Sequence, residues 1–150
     1  MNSIDSITKF FNVETIVIAG VSANEKKFSN YIYRELKSKG KKVIAVNPNA
    51  SSICGDVCYP DLKSVPQKIT SLLISTKKEL SDKIVKDALG LNVGNIWLQQ
   101  GCETSEAVKT AKDSGVNIIF NECILMFAEP VKSYHSFHKL LIKLFGKYPK

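Results

Sequence analysis

Thr15-Ile16-Val17-Ile18-Ala19-Gly20-Val21-Ser22 is a five-residue apolar run that breaks on a glycine and a serine. The run is β-branched and apolar at successive positions, so it reads as a strand buried on both faces. Polar residues follow from Ser22 to Lys27, and then Tyr31, Ile32 and Leu36 recur at helical spacing up to a Lys39-Gly40 stop. Ser29 or Asn30 is the expected N-cap of that helix. A second apolar run, Lys42-Val43-Ile44-Ala45-Val46, closes on Asn47-Pro48-Asn49. Strand, turn, helix, strand and turn in this order make a βαβ unit with its ligand side at the strand ends.

The pattern continues in both directions. Ile4 to Phe11 reads as a short leading helix. The stretch from Asn47 to Pro66 holds three of the five prolines and reads as an irregular connection with at most a short helix. Ile69 to Ser75 is a third strand, Leu80 to Leu89 repeats at helical spacing, and Asn95 to Leu98 is a fourth strand. A helix from Ser105 to Ser114 stops at Gly115, and Val116 to Phe120 is the fifth strand. Strands alternating with helices imply a doubly wound, mainly parallel five-stranded Rossmann-like α/β sheet with helices on both faces. Near the end, Tyr134, Phe137, Leu140, Leu141, Leu144 and Phe145 share one face of a helix over about 133–145, which is expected to dock on the domain.

A chain of 150 residues fits one domain, here 1–150, and needs no staple to bury its core. Its apolar fraction is 44%, with no run long enough to cross a bilayer and no export pattern, so a cytoplasmic location is expected. Cys54, Cys58, Cys102 and Cys123 then read as reduced thiols. The C-x3-C spacing of the first pair lacks a second pair or nearby histidine, and His135 and His138 lack a third ligand, so no metal site is expected. The formal charge of +7 favours anionic partners. No helix-turn-helix pattern or RNA-binding aromatic signature is present, so nucleic acid is not the expected partner. The protein partner is left unidentified, with an interaction surface on the basic C-terminal helix as an alternative to its internal docking.

In a doubly wound sheet the ligand lies beyond the carboxyl ends of the strands. The residues placed there are Gly20, Val21 and Ser22, Asn47 and Pro48, Ser75 and Thr76, and Gln99, Gln100 and Gly101. Glycine admits a close backbone approach, and the amides at a following helix start donate to anionic oxygens. Lys26 or Lys27 adds charge. G-x-S is a weaker signal than G-x-G-x-x-G. Asn47 stands where an NAD site carries an acid, which counts against ordinary NAD(P) binding but leaves it as an alternative. No P-loop, G-x-S-x-G elbow or Ser-His-Asp set is evident, so an enzyme is less expected than a binding protein.

Gly20-Val21-Ser22, Lys27-Phe28-Ser29-Asn30, Val46-Asn47-Pro48, Ile53-Cys54-Gly55, Tyr59-Pro60, Trp97-Leu98-Gln99-Gln100-Gly101 and Asn121-Glu122-Cys123-Ile124 follow one another in the chain. Together they resemble the small CoA-binding domain proteins, whose Rossmann-like fold is similar to the CoA-binding N-terminal domain of the succinyl-CoA ligase α subunit. The resemblance spans about 13–148. It implies CoA or acyl-CoA as the small-molecule nucleotide ligand of a non-catalytic binder. Gly20, Val21 and Ser22 would face the CoA phosphates, with Lys27 and Ser29 nearby. Asn47 and Pro48 would border the adenosine, Ser75 and Thr76 the nucleotide or pantetheine, and Gln99, Gln100 and Gly101 the pantetheine. Ser29 departs from a glycine, and Ser75 from an apolar residue, in that pattern. Cys123, after the fifth strand, is the candidate for a thiol-linked redox role with CoA, an alternative to plain binding.

Overall fold

The structure, a computed structural model, describes residues 2–129. The expected helix over 133–145, with His135 and His138, lies outside the described residues. Strands β1 (Thr15–Ala19), β2 (Lys42–Val46), β5 (Ser71–Ile74), β6 (Asn95–Gln99) and β7 (Asn117–Glu122) are the five read from the sequence. Two more, β3 (Ser52–Ile53) and β4 (Asp56–Tyr59), join them in one sheet of seven with the order β3-β4-β2-β1-β5-β6-β7. All neighbours are parallel except β3 and β4.

The count of five is therefore corrected to seven, because the connection after β2 folds back as a hairpin. Its two-residue turn, Cys54-Gly55, has φ of 51° and 83°, the left-handed pair that a tight hairpin requires. The usual signal for that turn is Asn-Gly or Asp-Gly. A cysteine at the first position, between strands of two and four residues, leaves no periodicity to read.

Helices α1 (Ile4–Phe11), α2 (Phe28–Ser38), α3 (Ser81–Gly90) and α4 (Ser105–Asp113) lie within a residue or two of their expected spans. Side chains along each central strand alternate between two cores. Ile16, Ile18, Leu73 and Trp97 meet α1, α2 and the segment Ile124 to Ala128 on one face. Val17, Ala19, Leu72, Ile74, Ile96 and Leu98 meet the apolar sides of α3 and α4 on the other. Trp97 is fully buried, with the rings of Phe10, Phe11 and Phe127 within 5.3–5.9 Å. Its indole N–H donates to the Glu122 carbonyl at 3.1 Å, so the largest core side chain also fixes the end of β7.

β7 is an edge strand, and Asn2 covers it. The Asn2 amide donates to the Phe120 carbonyl at 2.6 Å and accepts from the Phe120 N–H at 3.3 Å, as a neighbouring strand would. No helix among the described residues is long and apolar enough to cross a membrane.

Candidate functional site

The sheet order reverses direction at β1: the chain goes from β1 outward to β2 and β4, then returns to β5 on β1's other side. The crossovers after β1 and β5 lie on opposite faces of the sheet, so the carboxyl ends of these two strands are the switch point, where doubly wound sheets form their crevice.

Gly20 sits at its base with φ +92°. Its N–H donates to the Val46 carbonyl at 2.8 Å, and the Ser75 N–H donates to the Ala19 carbonyl at 2.9 Å, so three strand ends are tied together. A Cβ on Gly20 would lie 2.5 Å from the Ser75 carbonyl oxygen and would overlap Thr76 Cγ2. The glycine is thus demanded by the approach of the β5 loop, whatever else lies above it.

The turn after Gly20 is held by side chains from two other elements. The Ser22 N–H donates to Ser29 Oγ at 3.0 Å, and Asn30 Nδ2 donates to the Ser22 carbonyl at 2.8 Å. Asn47 Nδ2 donates to the Val21 carbonyl at 2.7 Å, while Asn47 Oδ1 accepts from the Asn49 N–H. Neither Ser29 nor Asn30 is the N-cap, which corrects the capping expected from sequence. That position is Lys27, with extended backbone and no side-chain cap. The reason is competition: both side chains face the β1 loop and take up its amide and carbonyl. The start of α2 keeps uncapped N–H groups and the positive end of its dipole at the crevice.

Lysines stand on both walls. Lys26 and Lys27 follow β1 and Lys77 and Lys78 follow β5, all four exposed. The ion pairs among the described residues lie elsewhere, on Lys9, Lys37, Lys42, Lys83, Lys86 and Lys109. Lys77 and Lys78 were missed in the sequence reading. Two consecutive lysines directly after the third predicted strand were the available signal.

The third loop, after β6, divides its residues. Gln99 is 3% exposed, and its Oε1 accepts from the Ile124 N–H at 3.2 Å, so it anchors the turn after β7. Gln100 and Gly101 are exposed, and the Gly101 N–H donates to Glu103 Oε2 at 2.8 Å. Cys102 binds this loop to the β5 loop through a thiol donated to the Thr76 carbonyl at 3.0 Å. Burial pushes the Cys102 and Cys58 thiols above the ordinary range. Cys123 is 7% exposed. The exposed thiol is Cys54 at the hairpin tip, 3.7 Å from Asn30 Oδ1. Beside Cys123, burial also pushes the Glu122 carboxyl above its usual range, partly offset by Asn2.

Two clefts lie outside the crevice. One of about 490 Å³ runs between α4 and β7 and begins at the β6 loop. The other, about 370 Å³, lies at the outer side of β2, where Lys37 pairs with Asp56, and Asp56 also accepts from the Tyr33 hydroxyl at 2.7 Å. Burial of the ring, and then that contact, hold the Tyr33 hydroxyl above its usual pKa. No group of three or more His, Cys, Asp or Glu among the described residues is arranged to hold a metal ion.

A mostly parallel sheet with its switch point at β1, helices on both faces and exposed lysines after β1 and β5 defines a doubly wound α/β domain. Residues 14–129 match the CoA binding domain family, and the chain belongs to it. It is 24% identical over 142 residues to the ADP-forming acetate–CoA ligase I of Archaeoglobus fulgidus, covering 88% of this chain and 21% of the ligase. It is 27% identical over 126 residues to the α subunit of ADP-forming acetate–CoA ligase II of Pyrococcus furiosus, covering 77% and 28%. The chain thus spans between a fifth and somewhat over a quarter of these ligases. A hypothetical protein from Pyrococcus horikoshii superposes with a TM-score of 0.79 at 25% identity, over 87% of this chain and 96% of that one.

Proposed function

We propose that this chain is a CoA-binding module that holds CoA or an acyl-CoA in the switch-point crevice and performs no ligation by itself. The observation that carries the reading is the meeting of the β1 turn, the uncapped start of α2 and two unpaired lysine pairs, in a chain whose residues 14–129 belong to the CoA binding domain family. The diphosphate lies over Gly20, Val21 and Ser22 and accepts from the first amides of α2, where helix dipole and orphan N–H groups favour an anion. Lys26, Lys27, Lys77 and Lys78 neutralise it from both walls. Ser29 acts through the loop it holds, keeping Ser22 in place. Asn47 and Pro48 border the adenosine. Ser75 and Thr76 pass the pantetheine on to Gln100 and Gly101, with Gln99 supporting that loop from below.

What these groups supply is amides, hydroxyls and ammonium groups, the chemistry of holding phosphate. The carboxylate nearest the third loop, Glu103, is taken up by the Gly101 N–H. The test is thermal unfolding with CoA, acetyl-CoA, dephospho-CoA, NAD, NADP and ADP at equal concentration. A ligand at one hundred times its Kd stabilises the folded state by about 2.7 kcal/mol. Selective stabilisation by the CoA species is the expected result. Stabilisation by NAD or NADP alone refutes the reading.

A further inference from the structure

Among the described residues, Ile4, Val57 and Leu80 are exposed singly, on α1, on β4 and just before α3. Scattered apolar residues of this kind are ordinary surface. Phe28 and Tyr31 are different. They lie one turn apart on α2, stacked with ring centroids 6.2 Å apart, and remain 48% and 37% exposed. Two large rings held together in water are a surface with apolar area still to bury.

The course of the chain decides what can reach that pair. After β7 the segment Ile124 to Ala128 starts level with the carboxyl ends of the strands, where the Ile124 N–H donates to Gln99 Oε1. It shares a core with Ile32 and Leu36 of α2 and ends at the far end of that helix, where Lys39 Nζ donates to the Ala128 carbonyl at 2.6 Å. Phe28 precedes Lys39 by about three helical turns, so both stand on one side of α2. The described chain therefore stops at the foot of the side that carries Phe28 at its head.

The sequence beyond Glu129 has what the pair lacks. Tyr134, Phe137, Leu141 and Leu144 recur at helical spacing, and 133–145 as a helix would advance about 20 Å. The way back up α2 from Lys39 to Phe28 is about 16 Å by the same rise. Residues 129–132 leave room to reverse direction. The stretch 130–150 also carries Lys132, Lys139, Lys143, Lys147 and Lys150 and no acid, whereas Glu35, two turns after Phe28, is the acid of α2.

We propose that residues 130–150 turn back along this side of α2, seat Phe137, Leu141 and Leu144 on Tyr31 and Phe28, and bring Lys147 and Lys150 beside Lys27 at the start of the helix. There the two lysines add to the charge that meets the CoA diphosphate. Their role rests on the CoA site described above, and the packing on α2 does not.

Urea unfolding of the full chain tests the packing, comparing the wild type with Phe28→Ser/Tyr31→Ser, with Phe137→Ser/Leu141→Ser and with all four changes together. Each pair should raise the unfolding equilibrium constant about tenfold or more, since it removes a buried apolar contact. Surface substitutions without a partner change that constant by about twofold or less. The four changes together should cost little more than the larger pair, because either pair alone already breaks the contact. Additive losses, or no loss from Phe28→Ser/Tyr31→Ser, overturn the packing on α2. A midpoint that rises with protein concentration overturns it too and assigns the face to a second copy. Calorimetry with CoA at low salt then tests the lysines. Lys147→Ala/Lys150→Ala should weaken CoA binding several-fold, and by less than about twofold when Phe28→Ser/Tyr31→Ser has already released the segment. Unchanged CoA affinity overturns the lysines' role. Failure of CoA to bind the wild type overturns the crevice reading and that role with it, and the urea series still decides the packing.

Discussion

Gly20→Ala separates two explanations of the same glycine. If Gly20 serves only to let a phosphate approach the backbone, an alanine there should weaken ligand binding and leave the unliganded protein as stable as before. The geometry says otherwise. The new Cβ would fall 2.5 Å from the Ser75 carbonyl oxygen and 2.9 Å from the Ser75 carbonyl carbon, so backbone must move against backbone. A φ of +92° adds a penalty of about 1–2 kcal/mol for an L side chain. Forcing a group into a packed site costs about 1–3 kcal/mol more.

The expected loss is therefore about 2–5 kcal/mol, read by urea unfolding of the unliganded protein. In a domain of this size each kcal/mol is about 2–4 °C in Tm. Gly101→Ala is the matched control. Gly101 has a similar φ of +88° but nothing within 4 Å of its added Cβ, so its cost should stay near the backbone penalty alone. If the two variants lose equal stability, or if Gly20→Ala costs less than about 0.5 kcal/mol, the contact with the β5 loop is not what requires the glycine.

Asn30→Ala leaves the Ser22 carbonyl without the amide that satisfies it, in a residue only 1% exposed, and should cost about 1–3 kcal/mol in chemical denaturation while also loosening CoA binding. Replacing Lys77 and Lys78 by alanine should weaken CoA binding at low salt and flatten its ionic-strength dependence with unchanged Tm; an unaltered salt slope would take these lysines out of the site. With a thiol reagent on the native protein, Cys54 should react first, and Cys54→Ser should abolish the fast phase, leaving buried Cys58, Cys102 and Cys123 for unfolding conditions. Glu122 holds its proton more tightly when folded than when unfolded, so its contribution is full below the ordinary glutamate range and is lost as pH rises through the raised value. Glu122→Gln should therefore stabilise the protein increasingly as pH rises from the ordinary glutamate range to the raised value, and level off above it, which pH-dependent denaturation would read.

What could be read from the sequence follows from what each signal depends on. Thr15 to Ala19 and Asn95 to Leu98 are legible because strands buried on both faces need apolar residues at every position. Lys39-Gly40 and Ser114-Gly115 are legible as helix ends because a glycine with positive φ punctuates each. The β3–β4 hairpin was not, since Cys54 carries a left-handed φ that cysteine rarely signals. In the crevice, the convergence of Gly20, Asn47 and Ser75 follows from strand order alone, which the βαβ pattern gives. The direction in which Asn30, Ser29 and Gln99 point does not follow from it. Each reads as a cap or a ligand contact, and each satisfies a main-chain group of a loop from another element. These contacts span seven, eight and 25 residues, longer than a cap or turn, so no capping or turn pattern announces them.

Those same contacts bear on how the site binds. Val21 is tied to Asn47, Ser22 to Ser29 and Asn30, Thr76 to Cys102, and Gly20 is pressed on Ser75. The three loops at the strand ends are therefore joined to each other as well as to the sheet, before any ligand arrives. A loop that must be ordered on binding subtracts that ordering from the affinity, whereas a loop ordered in advance does not. The exposed lysine side chains are left to adjust, each losing rotamer freedom only at the moment it meets a phosphate. The division of labour has a consequence for mutagenesis. Changes to Ser29, Asn30 and Asn47 should lower both stability and CoA affinity, because they act through the shape of the turn, while changes to Lys26, Lys27, Lys77 and Lys78 should lower affinity alone. Affinity lost without stability at Asn30 would mean that the amide touches the ligand and that the turn does not depend on it.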